Sequence, residues 1–109
     1  MGQVNFEDVF NSLKQGVTGL AQTTVTGYVA QAETDGQGLL DQMKANLQTW
    51  TTQLLNHEIT QAEFSENLED QKAVLQMAAL TQAGIAEATL DNFKSGIISL
   101  VETTVFGLL

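Results

Sequence analysis

The only histidine of this chain is the residue best suited to acid–base or metal chemistry. His57 stands between Asn56 and Glu58, and an imidazole beside a carboxylate can act as a general base or as a metal ligand. No Ser-His-Asp, Cys-His or His-x-x-x-His pattern accompanies it, and those patterns supply the nucleophile or the second ligand. We therefore predict an exposed turn residue at His57, no catalytic residues and no enzymatic activity.

A group of carboxylates follows the histidine and could in principle hold metal ions. Glu63, Glu66, Glu69 and Asp70 are close in the sequence, and a spacing of three brings side chains together on a helix. Helical di-metal centres combine such carboxylates with Glu-x-x-His motifs, which this sequence lacks. The cluster is typical of a solvated first helical turn, where acids complement the helix dipole. We predict no metal site and no cofactor.

Glycines, rather than prolines, interrupt the sequence, which has nine glycines and no proline. The segment around Gly16 and Gly19 lacks the Gly-x-Gly-x-x-Gly order and the preceding strand of a nucleotide-binding loop. Inside a helix, a glycine lowers stability by about 1 kcal/mol relative to alanine. The glycines therefore indicate either close helix packing or tolerated surface positions, and the sequence leaves both open.

The charge balance limits the classes of partner. Thirteen acidic residues against four lysines and no arginine give a formal charge of −9, which repels nucleic-acid phosphates and anionic lipid headgroups. We predict no nucleic-acid partner. Cysteine is absent, which excludes disulfides and thiolate chemistry. Glu7 and Asp8 stand where a secretory signal would carry positive charge, so we expect a cytoplasmic protein, with leaderless export and membrane association left open.

The elements that must position these residues are helices, and the clearest helix signal lies at Thr60. Thr60 and Glu63 have the spacing of a capping box, and Ile59 and Phe64 have that of a hydrophobic staple. This start divides the chain into two arms. The sequence predicts arm one over residues 5–56, a turn at 57–59 and arm two over 60–107.

Both arms carry apolar residues at steps of four and three, the periodicity of an amphipathic helix. Asn5 can cap the first arm. At residues 35–38, two glycines and an aspartate interrupt that arm, so we expect a kink or a loop there. The second arm keeps its phase, with Gly84 and Gly96 as the positions where it could bend.

The predicted fold class is therefore all-α: a long antiparallel helical hairpin in which residues 1–109 form one domain. It would place residues 39–55 along 60–75, and residues 6–32 along 85–109. Two helices bury only one seam of each, which is too little to offset an ordering entropy of about 1–2 kcal/mol per residue. We predict that self-association into a homo-oligomeric helical bundle or a larger coiled-coil assembly completes the core. The predicted oligomer seam comprises Phe6, Phe10, Leu13, Val17, Leu20, Tyr28, Phe93, Ile97, Leu100 and Val101.

Two segments with little charge suggest an alternative surface. Residues 15–32 carry no formal charge, and residues 96–109 carry only Glu102. The first segment approaches the length of a membrane span, but its threonines and glutamines make it too polar for one. We favour a helix–helix interface over a membrane contact, and keep lipid binding as the alternative.

The plan resembles that of the WXG100-type helical-hairpin secretion substrates, which are also small, acidic and free of cysteine, with a tryptophan near the turn. Trp50-Thr51-Thr52 lacks the glycine of that family's motif, and no Tyr-x-x-x-Asp or Tyr-x-x-x-Glu signal follows the second arm. The composition, rich in Gln and Thr, is also similar to that of granule-coating phasins. Both resemblances concern architecture alone.

These patterns predict a noncatalytic, self-associating helical protein that acts as an adaptor, scaffold or assembly subunit, with a second copy or another protein as its partner. The alternative is a membrane-active protein, pore-forming or granule-coating, that binds a lipid surface through an amphipathic helical face.

Overall fold

The computed structural model describes residues 5–109 of the chain. Within that range every regular element is a helix, so the all-α prediction is confirmed. The helices, in chain order, are α1 Phe6–Thr24, α2 Val29–Leu55, α3 Gln61–Lys72, α4 Ala78–Gln82 and α5 Glu87–Phe106.

The four longer helices form an up-down-up-down bundle, with the short α4 in the connection between α3 and α5. Helix α1 contacts α2 and α5, and α3 contacts the same two helices. Each of these four pairs is antiparallel. The ion pair Lys14–Asp41 joins α1 to α2, and the hydrogen bond from Lys72 to Ser95 joins α3 to α5. The bundle measures 45 × 24 × 19 Å, which is much shorter than an unbroken second arm of about 70 Å would require.

The predicted break of the first arm at residues 35–38 is wrong, because the chain turns at residues 25–28 instead. Helix α1 ends at Thr24, and Val25 donates its backbone N–H to the Ala21 carbonyl at 3.1 Å. Beta-branched residues crowd this end and Gly27 follows, a combination with low helix propensity. Val25 itself is buried, so an apolar contact anchors the turn.

Residues 35–38 stay helical because contacts from other parts of the chain stabilise them. The Asp35 carboxylate accepts hydrogen bonds from α4, and Gln37 Nε2 donates to the Lys14 carbonyl at 3.4 Å. Gly36 lies against Val17 so closely that a Cβ at this position would clash with the valine side chain. The two glycines cost helix propensity, but at Gly36 this cost permits close packing of α1 on α2.

The second arm is also divided, contrary to the predicted continuous helix over residues 60–107. Helix α3 ends at Lys72, and α4 and α5 follow as separate helices. Gly84 has φ = +80°, a left-handed conformation that glycine adopts without steric cost. Gly96, the other predicted bending point, lies inside α5.

The bundle retains the two helix pairs that the hairpin would contain, α2 with α3 and α1 with α5. The connections at residues 25–28 and 73–86 fold each arm back on itself. Each long helix therefore has neighbours on two sides within one chain, and the expected need for a partner to close the core disappears. Self-association stays a prediction. The largest fully buried side chains are Phe64, Phe93, Leu13, Leu39, Leu40, Met43, Leu47, Leu68, Leu80, Ile97, Val17 and Val101.

Across residues 5–109, no helix combines the length and the apolar character that crossing a membrane requires.

Candidate functional site

The candidate site is the outer surface where α1 and α5 run side by side, which we term the α1–α5 face. Two leucines and two glycines fix the distance between these helices. A Cβ on Gly16 would lie 2.7 Å from Leu100 Cδ2, and one on Gly96 would lie 3.0 Å from Leu20 Cδ2. Each leucine thus fills the space above the glycine of the opposite helix, and the two backbones approach closely.

Short uncharged side chains surround these two contacts. Residues at spacings of four, three and four share one side of a helix, and two such rows flank the groove between α1 and α5. All members are exposed or half-buried. The rows are Ser12, Gly16, Gly19 and Thr23 on α1, and Asn92, Gly96, Ser99 and Thr103 on α5.

The charged residues of α5 point away from the α1–α5 face. Lys94 lies on the α3 side, where its Nζ donates to the Leu75 carbonyl at 2.8 Å. Asp91 borders the same recess as Lys72 and Lys94. Helical geometry places Glu102 about 90° around the helix from the row of small residues. On α1, Lys14 pairs with Asp41 of α2, and the exposed Asp8 lies one turn before Ser12. Between Ser12 and Thr23 on α1 and between Asn92 and Thr103 on α5, neither row contains a charged residue.

The structure divides the predicted seam residues between the core and the surface. Within the single chain, six of them are buried: Phe10, Leu13, Val17, Phe93, Ile97 and Val101. Phe6, Leu20 and Leu100 are partly buried against that core. Tyr28 is exposed at 41% of its surface, in the turn between α1 and α2. Of these partly exposed residues, Leu20 and Leu100 lie on the α1–α5 face.

All four lysines of the chain have partners within the protein. Lys14 and Lys44 pair with Asp41 and Glu7, and their ammonium groups lie 5.1 and 4.9 Å from the Phe10 ring centroid. These exposed ion pairs contribute little stability each. Lys72 and Lys94 bind oxygens between α3 and α5. The remaining exposed charge is predominantly acidic.

The residues that suggested chemistry are not brought together by the fold. His57 is exposed in the turn between α2 and α3, with φ = +62°. Glu63 is used as a helix cap, since its Oε1 accepts from the Thr60 N–H at 2.9 Å. Among residues 5–109, no group of three or more His, Cys, Asp or Glu side chains is placed to hold a metal ion.

Asp35 is a polar residue whose role the sequence reasoning missed. It is only 8% exposed, and its Oδ1 and Oδ2 accept from the backbone N–H groups of Ala79 at 3.1 Å and Leu80 at 2.7 Å. A signal was present in the sequence: Asp35 falls between Ala32 and Leu39 on the apolar side of α2. A buried acid at such a position requires hydrogen-bond partners, and a turn aspartate does not.

Comparison of the chain with protein-family models, with curated proteins and with solved structures finds no match.

Proposed function

We propose that this protein is a noncatalytic helical bundle that self-associates through its α1–α5 face and serves as an adaptor, scaffold or assembly subunit. The observation that carries the proposal is the absence of charged residues from the two rows of that face, in a chain whose net charge is −9.

Charge favours this face over other surfaces of the bundle. Two copies of the same acidic protein repel each other, and the repulsion is strongest where their carboxylates would face one another. Exposed acids lie on α3 and near the start of α5, as Glu63, Asp70 and Asp91 illustrate. A contact through the α1–α5 face keeps those acids apart and leaves them solvated.

The chemistry of the face also suits contact between helices. The two rows of small residues let a facing helix approach closely, since they have no long side chains to displace. Leu20 and Leu100 remain partly exposed between the rows, and covering them would add apolar burial at about 25 cal/mol per Å². The serine, threonine and asparagine side chains can donate and accept hydrogen bonds across the contact.

The size of the face predicts a weak association. Eleven residue steps from Ser12 to Thr23 span about 17 Å, and two adjacent helices of about 10 Å diameter are about 20 Å wide, which gives a surface on the order of 350 Å². This is less than half of the roughly 800 Å² per partner of a typical stable interface. We therefore expect a concentration-dependent equilibrium in the micromolar range or weaker.

Analytical ultracentrifugation over a concentration series, at low and at high salt, tests the proposal. The average mass should rise with concentration, and it should rise more steeply at high salt because screening weakens the repulsion between copies. A monomer at every concentration and salt level would refute the proposal.

A matched pair of variants locates the interface. Ser99→Glu places a negative charge on the α1–α5 face, whereas Gln48→Glu adds the same charge at an exposed position of α2. We expect Ser99→Glu to weaken association about tenfold or more, as an unpaired buried charge predicts, with little change for Gln48→Glu. Equal effects of the two variants would place the contact elsewhere.

A further inference from the structure

The segment between α3 and α5, residues 73–86, lies against the bundle as a strap. It contains α4, which packs on α2. Three of its apolar side chains, Leu75, Met77 and Leu80, are at most 5% exposed. An open cleft of about 480 Å³ separates part of the strap from the first turns of α5, so the strap contacts the bundle along only part of its length.

Helix α4 would not be stable in isolation. It is five residues long, and its N-cap residue, Met77, makes no side-chain capping bond. Isolated helices shorter than about 12 residues are unstable in water because nucleation is unfavourable. The strap therefore depends on groups outside it for its conformation.

Asp35 of α2 supplies the missing cap. Its two carboxylate oxygens accept from the N–H groups of Ala79 and Leu80, the second and third residues of α4, whose donors have no partner within the helix. These bonds are charge-assisted, and Asp35 is 8% exposed, so water weakens them little. One side chain thus holds both the position and the helical state of α4.

The two ends of the strap are attached differently. At the N-terminal end, Lys94 Nζ of α5 donates to the Leu75 carbonyl at 2.8 Å and reaches the Lys72 carbonyl at 3.5 Å. At the C-terminal end, Gly84 takes a left-handed conformation with φ = +80°. Glycine reverses such a conformation readily, so this end can act as a hinge.

We propose that residues 73–86 form a conformational switch that opens as a unit when the Asp35 contacts break, while the bundle of α1, α2, α3 and α5 stays folded. The bundle has contacts that do not involve the strap, including the Leu20 and Leu100 packing and the Phe64–Phe106 ring pair at 5.6 Å. Opening also breaks the bond between Lys94 and the Leu75 carbonyl, and it exposes the three apolar strap residues and the α2 surface around Asp35. The switch does not depend on self-association.

Hydrogen exchange followed by mass spectrometry tests this switch on the full chain. In the wild-type protein, peptides covering residues 73–86 should exchange by a local opening whose rate depends less on urea than that of peptides from α1 and α5. Asp35→Ala should accelerate exchange in residues 73–86 at least about tenfold, the factor that corresponds to about 1.4 kcal/mol. Exchange in α1 and α5 should stay slower than in residues 73–86 and should keep its steeper dependence on urea.

Two further variants keep the result interpretable. Asp41→Asn removes an exposed carboxylate from the same helix and should leave exchange in residues 73–86 unchanged. Asp35→Asn keeps one acceptor oxygen and should give an intermediate acceleration. If Asp35→Ala fails to fold, Asp35→Asn and the urea dependence of the wild-type protein still show whether residues 73–86 open separately from the bundle. Equal protection of residues 73–86 and of α1 and α5, or equal urea dependence in all peptides, would overturn the proposal.

Discussion

Helices α3 and α4 begin in opposite ways, and the difference separates local from distant control of structure. Helix α3 starts with a complete capping box: Thr60 Oγ1 accepts from the Glu63 N–H at 3.1 Å, and Glu63 Oε1 accepts from the Thr60 N–H at 2.9 Å. Helix α4 has no side-chain cap of its own. The N–H groups of its second and third residues, Ala79 and Leu80, bind the Asp35 carboxylate, which lies more than 40 residues earlier in the chain.

The two caps also differ in their exposure to water. The bonds of the α3 capping box are exposed, whereas the bond from Leu80 to Asp35 is buried. A surface cap competes with water and contributes modestly. Removal of the Asp35 carboxylate would leave the buried Leu80 N–H and the partly buried Ala79 N–H without their acceptor, which is costly in a desolvated site. Removing the Asp35 cap of α4 should therefore lower the free energy of unfolding more than removing the Thr60 cap of α3.

The largest expected effect follows from Asp35→Ala. Loss of two charge-assisted hydrogen bonds should lower the free energy of unfolding by about 3 kcal/mol. Urea denaturation monitored by circular dichroism measures this change. A loss no larger than that of an exposed cap would show that burial of the Asp35 contact adds no stability beyond that of a surface cap.

The next effect concerns Gly36→Ala, which tests whether tertiary packing controls the middle of α2. The new Cβ would clash with Val17 and lie 3.2 Å from Phe93 Cζ, so overpacking should lower stability by about 2 kcal/mol. Urea denaturation is again the measurement. A stabilised variant would mean that α1 and α2 can separate at this point without loss.

Thr60→Ala should have a smaller effect, because it removes an exposed local cap. We expect a loss of about 1 kcal/mol in unfolding free energy. Combining it with Asp35→Ala sharpens the comparison, since distant and independent sites add to within about 0.5 kcal/mol. Strong non-additivity of the double variant would show that the two helix starts are coupled.

The smallest effect should come from Gly38→Ala, which is the matched control for Gly36→Ala. Gly38 lies inside the same helix, but a Cβ there would have no neighbour within 4 Å. Helix propensity alone should then raise stability by about 0.5 kcal/mol. A decrease in the melting temperature would indicate that the glycine has a role which its surroundings do not show.

The sequence left two roles open for the glycines, close helix packing or tolerated surface positions. Both occur, and only the fold shows which glycine has which role. Gly16, Gly36 and Gly96 allow close approach of another helix, whereas Gly19, Gly27 and Gly38 have open space beside them. Nothing in the residues next to Gly36 and Gly38 separates the two cases. Their difference arises from Val17 and Phe93, which approach one position and not the other.

The same reason explains the misplaced break in the first arm. Local propensity favoured a break at residues 35–38 over one at residues 25–28, where Gly27 follows beta-branched residues. Helix α2 passes through residues 35–38 because Asp35 and Gln37 gain hydrogen bonds to other parts of the chain. Interactions with distant residues thus offset the low helix propensity of residues 35–38. A sequence pattern does not show such interactions.

The sequence by itself determined the helical class, the cap of α3 at Thr60, and the cap of α1 at Asn5, whose Oδ1 accepts from the Glu7 N–H at 3.0 Å. These features depend on residues within one or two helical turns of each other. Only the tertiary structure decided that each arm folds back, that the core closes within one chain, and that Asp35 holds α4. Such outcomes depend on which distant surfaces meet, and buried contacts there outweigh propensities of about 1 kcal/mol per residue.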